Sequence, residues 1–401
     1  GKIRVTDACN QCGHCTATCT SNVQVHAEVK QFGMVVDPGC MKCMDCVSVC
    51  PNDALYFGFG KPSVAVRGAA VAKTYSLTWP EEILAALIFF ASYMAVWDVY
   101  QLVPMLMALG IATVTTFVAM RTVRLFRSSD IGFYGRSLRS QGKITAVGWI
   151  FLTFGALWIG LNAHSGYVRY HERSGAIAFE SFNIPDELAL AQADPRQWLS
   201  PADATAVANG KAAFYAARNV SLFTNREMIS KLAWLEYLSG NTTQAVDLLQ
   251  TATQKQTGQE RVLSLYYRGA ILNRLGRHRE AVANLDEALA ERPDLIAARE
   301  ERGEALWQMG AREQATQAWT EALKLSPNMP LTNYVLAGAA AAQNSADSAA
   351  KYEQKADSVT PNNAHFHWML GLRLQNLKFN ELAERRFARA VELDPSFASR
   401  R

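Results

Sequence analysis

Cys9-Asn10-Gln11-Cys12-Gly13-His14-Cys15-Thr16-Ala17-Thr18-Cys19 is answered later in the chain by Cys40-Met41-Lys42-Cys43-Met44-Asp45-Cys46-Val47-Ser48-Val49-Cys50-Pro51. Each run sets three cysteines three residues apart and a fourth cysteine four residues further on. All eight cysteines of the 401-residue chain lie in these two runs, and the last 351 residues hold none. Disulfide staples would be spread over the chain they secure, so a disulfide-bonded fold is excluded. Structural zinc uses two cysteine pairs parted by a longer loop. Here four thiols crowd into eleven residues, twice.

Three thiolates at i, i+3 and i+6 on a tight loop can face one side of an iron–sulfur cube. The fourth lies too far along to close that cage and serves the neighbouring cube. The expected sets are Cys9, Cys12, Cys15 and Cys50 for one 4Fe–4S cluster, and Cys40, Cys43, Cys46 and Cys19 for the other. Thr20 stands where the second run has Pro51, with no ligand lost. His14 reads as an exposed neighbour, since eight cysteines already complete two clusters. Met34–Asp37 and Ala54–Phe57 read as short strands, with Gly33, Gly39 and Gly58 as turn residues. There is no Cys-x-x-Cys-His, which excludes covalent haem on this reading.

These runs resemble the two-cluster ferredoxins. CNQCGHCTATC and GCMKCMDCVSVCPNDALYFGFGKP are similar to the cytoplasmic ferredoxin domain of NosR/NapH-type membrane polyferredoxins. The resemblance covers about residues 1–65 and implies a respiratory chain that exchanges electrons with the quinone pool. Members of that family usually carry earlier membrane helices with Cys-Pro motifs. Gly1 begins the sequence without a signal-peptide pattern, so an upstream portion is expected.

Residues 66–163 form the expected membrane segment. Ile83 to Met120 is almost wholly apolar, and one helix of that length would run about 57 Å against a hydrocarbon core of about 30 Å. Two spans, about 82–99 and 102–120, fit better, with Asp98, Gln101 and Pro104 at the bend. A third span is expected at 144–163. Trp79, Trp97, Tyr100, Tyr167 and Tyr170 read as interfacial aromatics. Between the second and third spans, Arg121, Arg124, Arg127, Arg136, Arg139 and Lys143 oppose the single acid Asp130. Basic loops stay cytoplasmic, which puts the cysteine-rich head in the cytoplasm and everything after Ala163 outside it, as in a bacterial inner membrane. Residues 82–163 contain no histidine to ligate haem b. Quinone contact at Asp98 or His164 is one reading, and interfacial solvation is the simpler one.

After a linker at 164–199, residues 200–401 read as helical, with Ser200-Pro201 as cap and first turn. Pro293, Pro327, Pro361 and Pro395 recur at 34 residues, each preceded in register by Ala288, Ala322, Ala356 and Ala390 and by Ala281, Ala315, Ala349 and Ala383. Gly269, Gly303, Ala337 and Gly371 keep the same period. A 34-residue helix–turn–helix with small residues at the crossing is the tetratricopeptide (TPR) pattern. It is clear from about residue 262, and a degenerate copy with Gly240, Ala245 and Ala252 precedes it. Such arrays expose a concave groove, toward which Tyr266, Arg274, Glu300, Glu304, Tyr334, His365 and Trp368 are expected to point. His365 and His367 diverge on a helix and do not make a metal pair.

The expected fold class is therefore multidomain: a small α+β ferredoxin domain with two 4Fe–4S clusters, three transmembrane helices and an all-α TPR solenoid. Its net charge of +4 gives no case for nucleic acid. No P-loop, catalytic triad or dinucleotide fingerprint is present, so substrate chemistry is expected to belong to a partner. The function expected is a membrane-anchored electron-transfer subunit whose TPR domain docks protein subunits of a redox complex. The alternative is a TPR scaffold or assembly factor with redox-sensing clusters.

Overall fold

A computed structural model describes residues 1–60, 77–133, 135–191 and 194–400. The expected boundary at 65/66 lies outside the described residues. The chain divides into two compact units, residues 1–84 and 85–401, each taken by itself.

In the first unit, β1 (Lys2–Val5) pairs antiparallel with β2 (Leu55–Gly58), Ile3 facing Phe57 and Val5 facing Leu55. Met34 makes only an isolated bridge, to Arg4, so the strand expected at Met34–Asp37 is shorter than the sequence suggested. The reason is Glu28 on helix α2 (Val25–Phe32). Its buried carboxylate accepts the N–H groups of Val36 (2.9 Å) and Asp37 (3.1 Å), taking the donors that a longer strand would use. Ile3, Val23, Val25, Val29, Val35 and Leu55 form the small core.

Among the described residues, three helices are long and apolar enough to cross a membrane: α4 (Trp79–Val96), α5 (Met105–Arg127) and α6 (Ala146–Glu180). At 1.5 Å per residue, α5 is about 35 Å long and α6 about 52 Å. The sequence reading ended the third span at 163, where the uncharged stretch ends. The helix instead continues, because its last turns gain a new apolar partner. At Gly175 an added Cβ would lie 2.5 Å from the Phe214 ring, so only glycine lets α8 (Pro201–Val220) pack this closely. Most of the expected linker is therefore helix.

Between α4 and α5 the turn is tight, with Asp98, Tyr100 and Gln101 all left-handed at φ of 59°, 56° and 58°. Asp98 is tied to α6 by an ion pair with Arg169 at 3.2 Å. The basic loop after α5 is folded as well: β3 (Ile131–Phe133), β4 (Arg136–Ser140) and β5 (Lys143–Ile144) form an antiparallel sheet. Arg139 of β4 donates to the carbonyls of Leu125 (2.9 Å), Phe126 (3.2 Å) and Ser128 (3.1 Å), a cation placed at the negative end of α5.

A polar cluster joins the three apolar helices. Ser92 Oγ of α4 donates to Asn162 Oδ1 of α6 at 2.7 Å, Thr115 Oγ1 of α5 lies 3.2 Å from the same oxygen, and Trp158 Nε1 donates to Thr115 Oγ1 at 2.9 Å. In a bilayer, where lipid supplies no hydrophobic drive between helices, hydrogen bonds of this kind would hold them together.

Beyond α8 come five antiparallel pairs: α9 (Arg226–Leu238) with α10 (Thr242–Lys255), α11 (Gly258–Arg274) with α12 (His278–Glu291), α13 (Ile296–Gln308) with α14 (Arg312–Leu325), α15 (Pro330–Ala342) with α16 (Ala346–Val359), and α17 (Ala364–Asn376) with α18 (Asn380–Leu393). The recurring small residues have a clear cause. A Cβ on Gly303 would meet Trp319 at 2.2 Å, and one on Gly371 would meet Phe387 at 2.5 Å. The third full copy has Ala337 at this place, and its neighbour Gly338 makes a different close approach, an added Cβ lying 2.5 Å from Phe379 at the start of α18.

Asn162→Leu should weaken the association of α4, α5 and α6 by about 0.6–1.7 kcal/mol. Unfolding in mixed detergent measures this, and Ser92→Ala should not add fully to it, because both remove the same bond.

Candidate metal centre and TPR groove

The two cysteine runs are built on one backbone. Gln11 and Gly13 have φ of 59° and 82°, and Lys42 and Met44, at the matching places, have 57° and 72°. Asn22 and Asp53, three residues after each fourth cysteine, have 54° and 45°. A left-handed conformation is costly for any residue but glycine. Its recurrence at three matched positions shows that both loops solve the same geometric problem.

The hydrogen bonds repeat as well. Cys9 N–H donates to Thr6 O (3.3 Å) as Cys40 N–H does to Asp37 O (3.2 Å). Cys19 N–H donates to Thr16 O (3.2 Å) as Cys50 N–H does to Val47 O (3.3 Å). One-turn helices α1 (His14–Ala17) and α3 (Asp45–Ser48) carry the third cysteine of each run. Loops that turn successive N–H groups to one side form concavities suited to anions, iron–sulfur sites among them.

All eight thiols are free of disulfides. Cys12 and Cys43 are exposed, Cys46 is buried, and the others are half-buried. Cys15, Cys19, Cys40 and Cys50 pack against the apolar core. Burial pushes the Cys46 thiol up to about 11, and Cys40, Cys15, Cys19 and Cys43 add to the rise. Cys15 is also raised, first by burial, with Cys9 contributing and Thr16 opposing. Burial therefore opposes ionisation of Cys15 and Cys46. Bound iron would supply the missing positive charge, and an all-cysteine donor set on anion-accepting loops fits iron–sulfur clusters. The Ala54 N–H donates to Cys50 Sγ at 3.2 Å. His14 is exposed.

Two supports in this region were not read from the sequence. Glu28 orders the entry to the second loop, and its signal was a lone acid among the valines of α2. Thr16, beside Cys15, accepts the His26 N–H at 2.9 Å and lies 2.8 Å from His26 Nδ1.

The concave face of the repeats differs from the expected open groove. Tyr334 and Trp368 are buried at 0% and 4% exposure, and Tyr266 is half-buried. Arg274, Glu304 and Glu300 are buried too, because opposite charges meet there. Arg274 lies 2.7 Å from Glu301 and 3.0 Å from Glu304, while Arg373 of α17 faces Glu301 at 2.7 Å and donates through Nε to Glu304 at 2.6 Å. Burial alone would raise Glu301, but Arg274 and Arg373 outweigh it and hold the carboxyl below its usual range. Glu301 and Arg373 complete this square, and the repeat pattern gave no sign of them.

The rest of the face is covered by the chain itself. Residues 185–191, including the short helix α7 (Asp186–Ala189), lie against the first helices of the repeats. Tyr237 Oη donates to Ala189 O at 3.0 Å, Asn376 Nδ2 donates to Ala191 O at 3.0 Å, and Tyr267 Oη donates to the Asp186 carboxylate. Leu188 and Ala191 join the core beside Trp307 and Trp368. Of the expected groove residues only His365 remains exposed, at the edge of a cavity of about 390 Å³ lined by Pro185, Leu188, Pro361, Phe366 and Met369.

At residues 8–55 the chain matches the family model of the 4Fe-4S dicluster domain. Tetratricopeptide repeat models match residues 230–296 and 300–364. The head is thus a ferredoxin-type dicluster domain and the tail a TPR array. Comparison with curated proteins gives no match. Among solved structures, MamA 41-end from Desulfovibrio magneticus RS-1 is similar at 15% identity and a TM-score of 0.36, covering 44% of this chain and 97% of that one. The MamA RS-1 ArsTM double mutant shows 20% identity and a TM-score of 0.33, over 44% and 98%. MamA AMB-1 shows 16% and 0.36, over 48% and 91%.

Two buried groups in the array titrate in opposite senses. Burial raises Glu300 to about 7 against the opposing bond from Thr332, and burial together with Arg386 and Arg389 lowers His367 to about 4. A raised carboxyl binds its proton more tightly when folded, so its contribution falls as pH rises from about 4.5 to 7. A lowered imidazole binds its proton less tightly when folded, so its contribution grows from about pH 4 to 6.5. Hydrogen exchange of α13–α18 in urea should show Glu300→Gln removing the first slope and His367→Gln removing the second.

Proposed function

We propose that the chain is a membrane-anchored electron-transfer subunit of a respiratory redox complex, of the NosR/NapH polyferredoxin kind. The observation that carries this reading is the repeated cysteine-loop backbone, matched in left-handed residues and in hydrogen bonds. In the assignment we propose, Cys9, Cys12, Cys15 and Cys50 hold one cluster and Cys40, Cys43, Cys46 and Cys19 the other. When bound, each cluster supplies storage for single electrons. The chain's own residues place the thiols, close the site with apolar core on one side and leave Cys12 and Cys43 toward the surface.

Helices α4, α5 and α6 are proposed as membrane spans, with the head and the β3–β5 sheet cytoplasmic and the TPR array outside, in a bacterial inner membrane. The basic residues of 121–143 support that orientation. Asp98 pairs with Arg169 and His164 bonds Val220 O at 2.9 Å, so the contacts of both are those of structural residues, and a quinone site draws no support from them. The TPR array is proposed to bind protein partners through surfaces other than the filled concave face. A scaffold that gathers client peptides in an open groove draws less support, since residues 185–191 occupy it.

The purified chain should contain about eight irons and eight sulfides. Cys19→Ala should abolish the same electron-paramagnetic signal as Cys43→Ala, and Cys50→Ala the same as Cys12→Ala. Pairing of Cys19 with Cys12 would refute the crossed assignment, and bound zinc in place of iron would refute the electron-transfer reading.

Protease added to spheroplasts should trim residues 200–400 and spare the head. Cleavage of the head would reverse the orientation.

A further inference from the structure

The loop joining α8 to α9 ends in apolar side chains turned outward. Leu222 is 63% exposed and Phe223 58%, beside Val220 at 42%. The loop is nevertheless fixed at several points. The Leu222 N–H donates to Tyr100 Oη at 3.2 Å, the Tyr100 and Phe223 rings meet edge to face with centroids 5.5 Å apart, and Val220 O lies 2.9 Å from His164 Nε2. Lys255 Nζ adds a bond to Thr224 Oγ1 at 2.8 Å. A loop so held could have turned its apolar groups inward, and it does not.

Its anchors give its depth. Tyr100 lies in the turn joining α4 and α5. His164 lies about 27 Å along α6 from its start at Ala146, close to the hydrocarbon thickness of about 30 Å. The loop is thus tied to the points where all three apolar helices leave the apolar zone. Trp97 and Tyr167 are exposed near those points, at 38% and 48%, as aromatics are at a membrane–water interface. Arg218 and Arg226, both exposed, flank the apolar tip, where cations can meet lipid headgroups.

We propose that Val220, Leu222 and Phe223 form a second membrane contact, an apolar wedge that enters the interfacial layer of the phospholipid leaflet on the TPR side. The proposal rests on reading α4, α5 and α6 as spans. The exposed tip is held to Tyr100 and His164, at the ends of those helices, which is why the occupant is bilayer. Together, α6 and the wedge hold the array against the membrane at two places, so that it cannot swing about a single helix.

The test uses the full chain in nanodiscs of phosphatidylcholine and phosphatidylglycerol, with a photo-crosslinking amino acid in place of Phe223, Leu157 or Gln317. Leu157 is 66% exposed on α6 within the proposed span, and Gln317 is exposed on α14. Lipid adducts at 157 and 223 and none at 317 are the expected result. An adduct at 157 without one at 223 overturns the wedge and leaves the spans standing. No adduct at 157 overturns the span reading and the wedge with it. Equal adducts at 223 and 317 overturn the wedge, since its contact would then be unspecific.

Discussion

The packing of Phe214 into the space left by Gly175 governs the second unit. Because α6 has no Cβ at that position, α8 can lie close along it, and the helix that begins in the apolar segment becomes the first wall of the repeat array. Gly210 of α8 makes a comparable approach, with an added Cβ 2.9 Å from Leu235 of α9. Each pair then stacks on the one before it. A solenoid is stabilised by nearest-neighbour interfaces, so its direction is inherited from the first contact, and here that contact is with a helix fixed at its other end among α4 and α5.

The same arrangement explains the filled groove. Between the end of α6 at Glu180 and the start of α8 at Pro201, residues 185–191 run along the concave face as far as Asn376 of α17. Leu188 and Ala191 bury apolar surface there, while Tyr237, Tyr267 and Asn376 satisfy polar groups of the crossing segment. Leaving a charge unpaired in such a place would cost several kcal/mol, which is why Arg274, Arg373, Glu301 and Glu304 occur as a closed set of two cations and two anions.

In the first unit the constraint is covalent spacing. Cysteines three residues apart, with a left-handed residue on each side of the middle one, leave the loop little choice of shape. Residues that do not touch a cluster then serve the loop: Glu28 takes the N–H groups of Val36 and Asp37, and the carbonyls of Thr6 and Asp37 receive the N–H of each first cysteine.

Much of this was legible in the sequence because it is local or periodic. The cysteine spacing identified the head, apolar runs located α4, α5 and α6, and the 34-residue recurrence of proline and alanine announced the repeats. Helix ends were less legible. The stop expected at 163 followed hydropathy, whereas the helix persists to Glu180 because α8 covers it. The β3–β5 sheet was hidden among arginines, with left-handed Gly135 and Gln141-Gly142 marking its turns. Arg274, Glu300 and Glu304 were expected to line an open groove, and their burial was not legible, since Arg373 lies 69 residues beyond Glu304. By itself the sequence determined which chemistry each part can hold, for that depends on residue type and spacing. Tertiary structure alone decided which surfaces stay open, because closing the groove takes contacts between residues far apart in the chain.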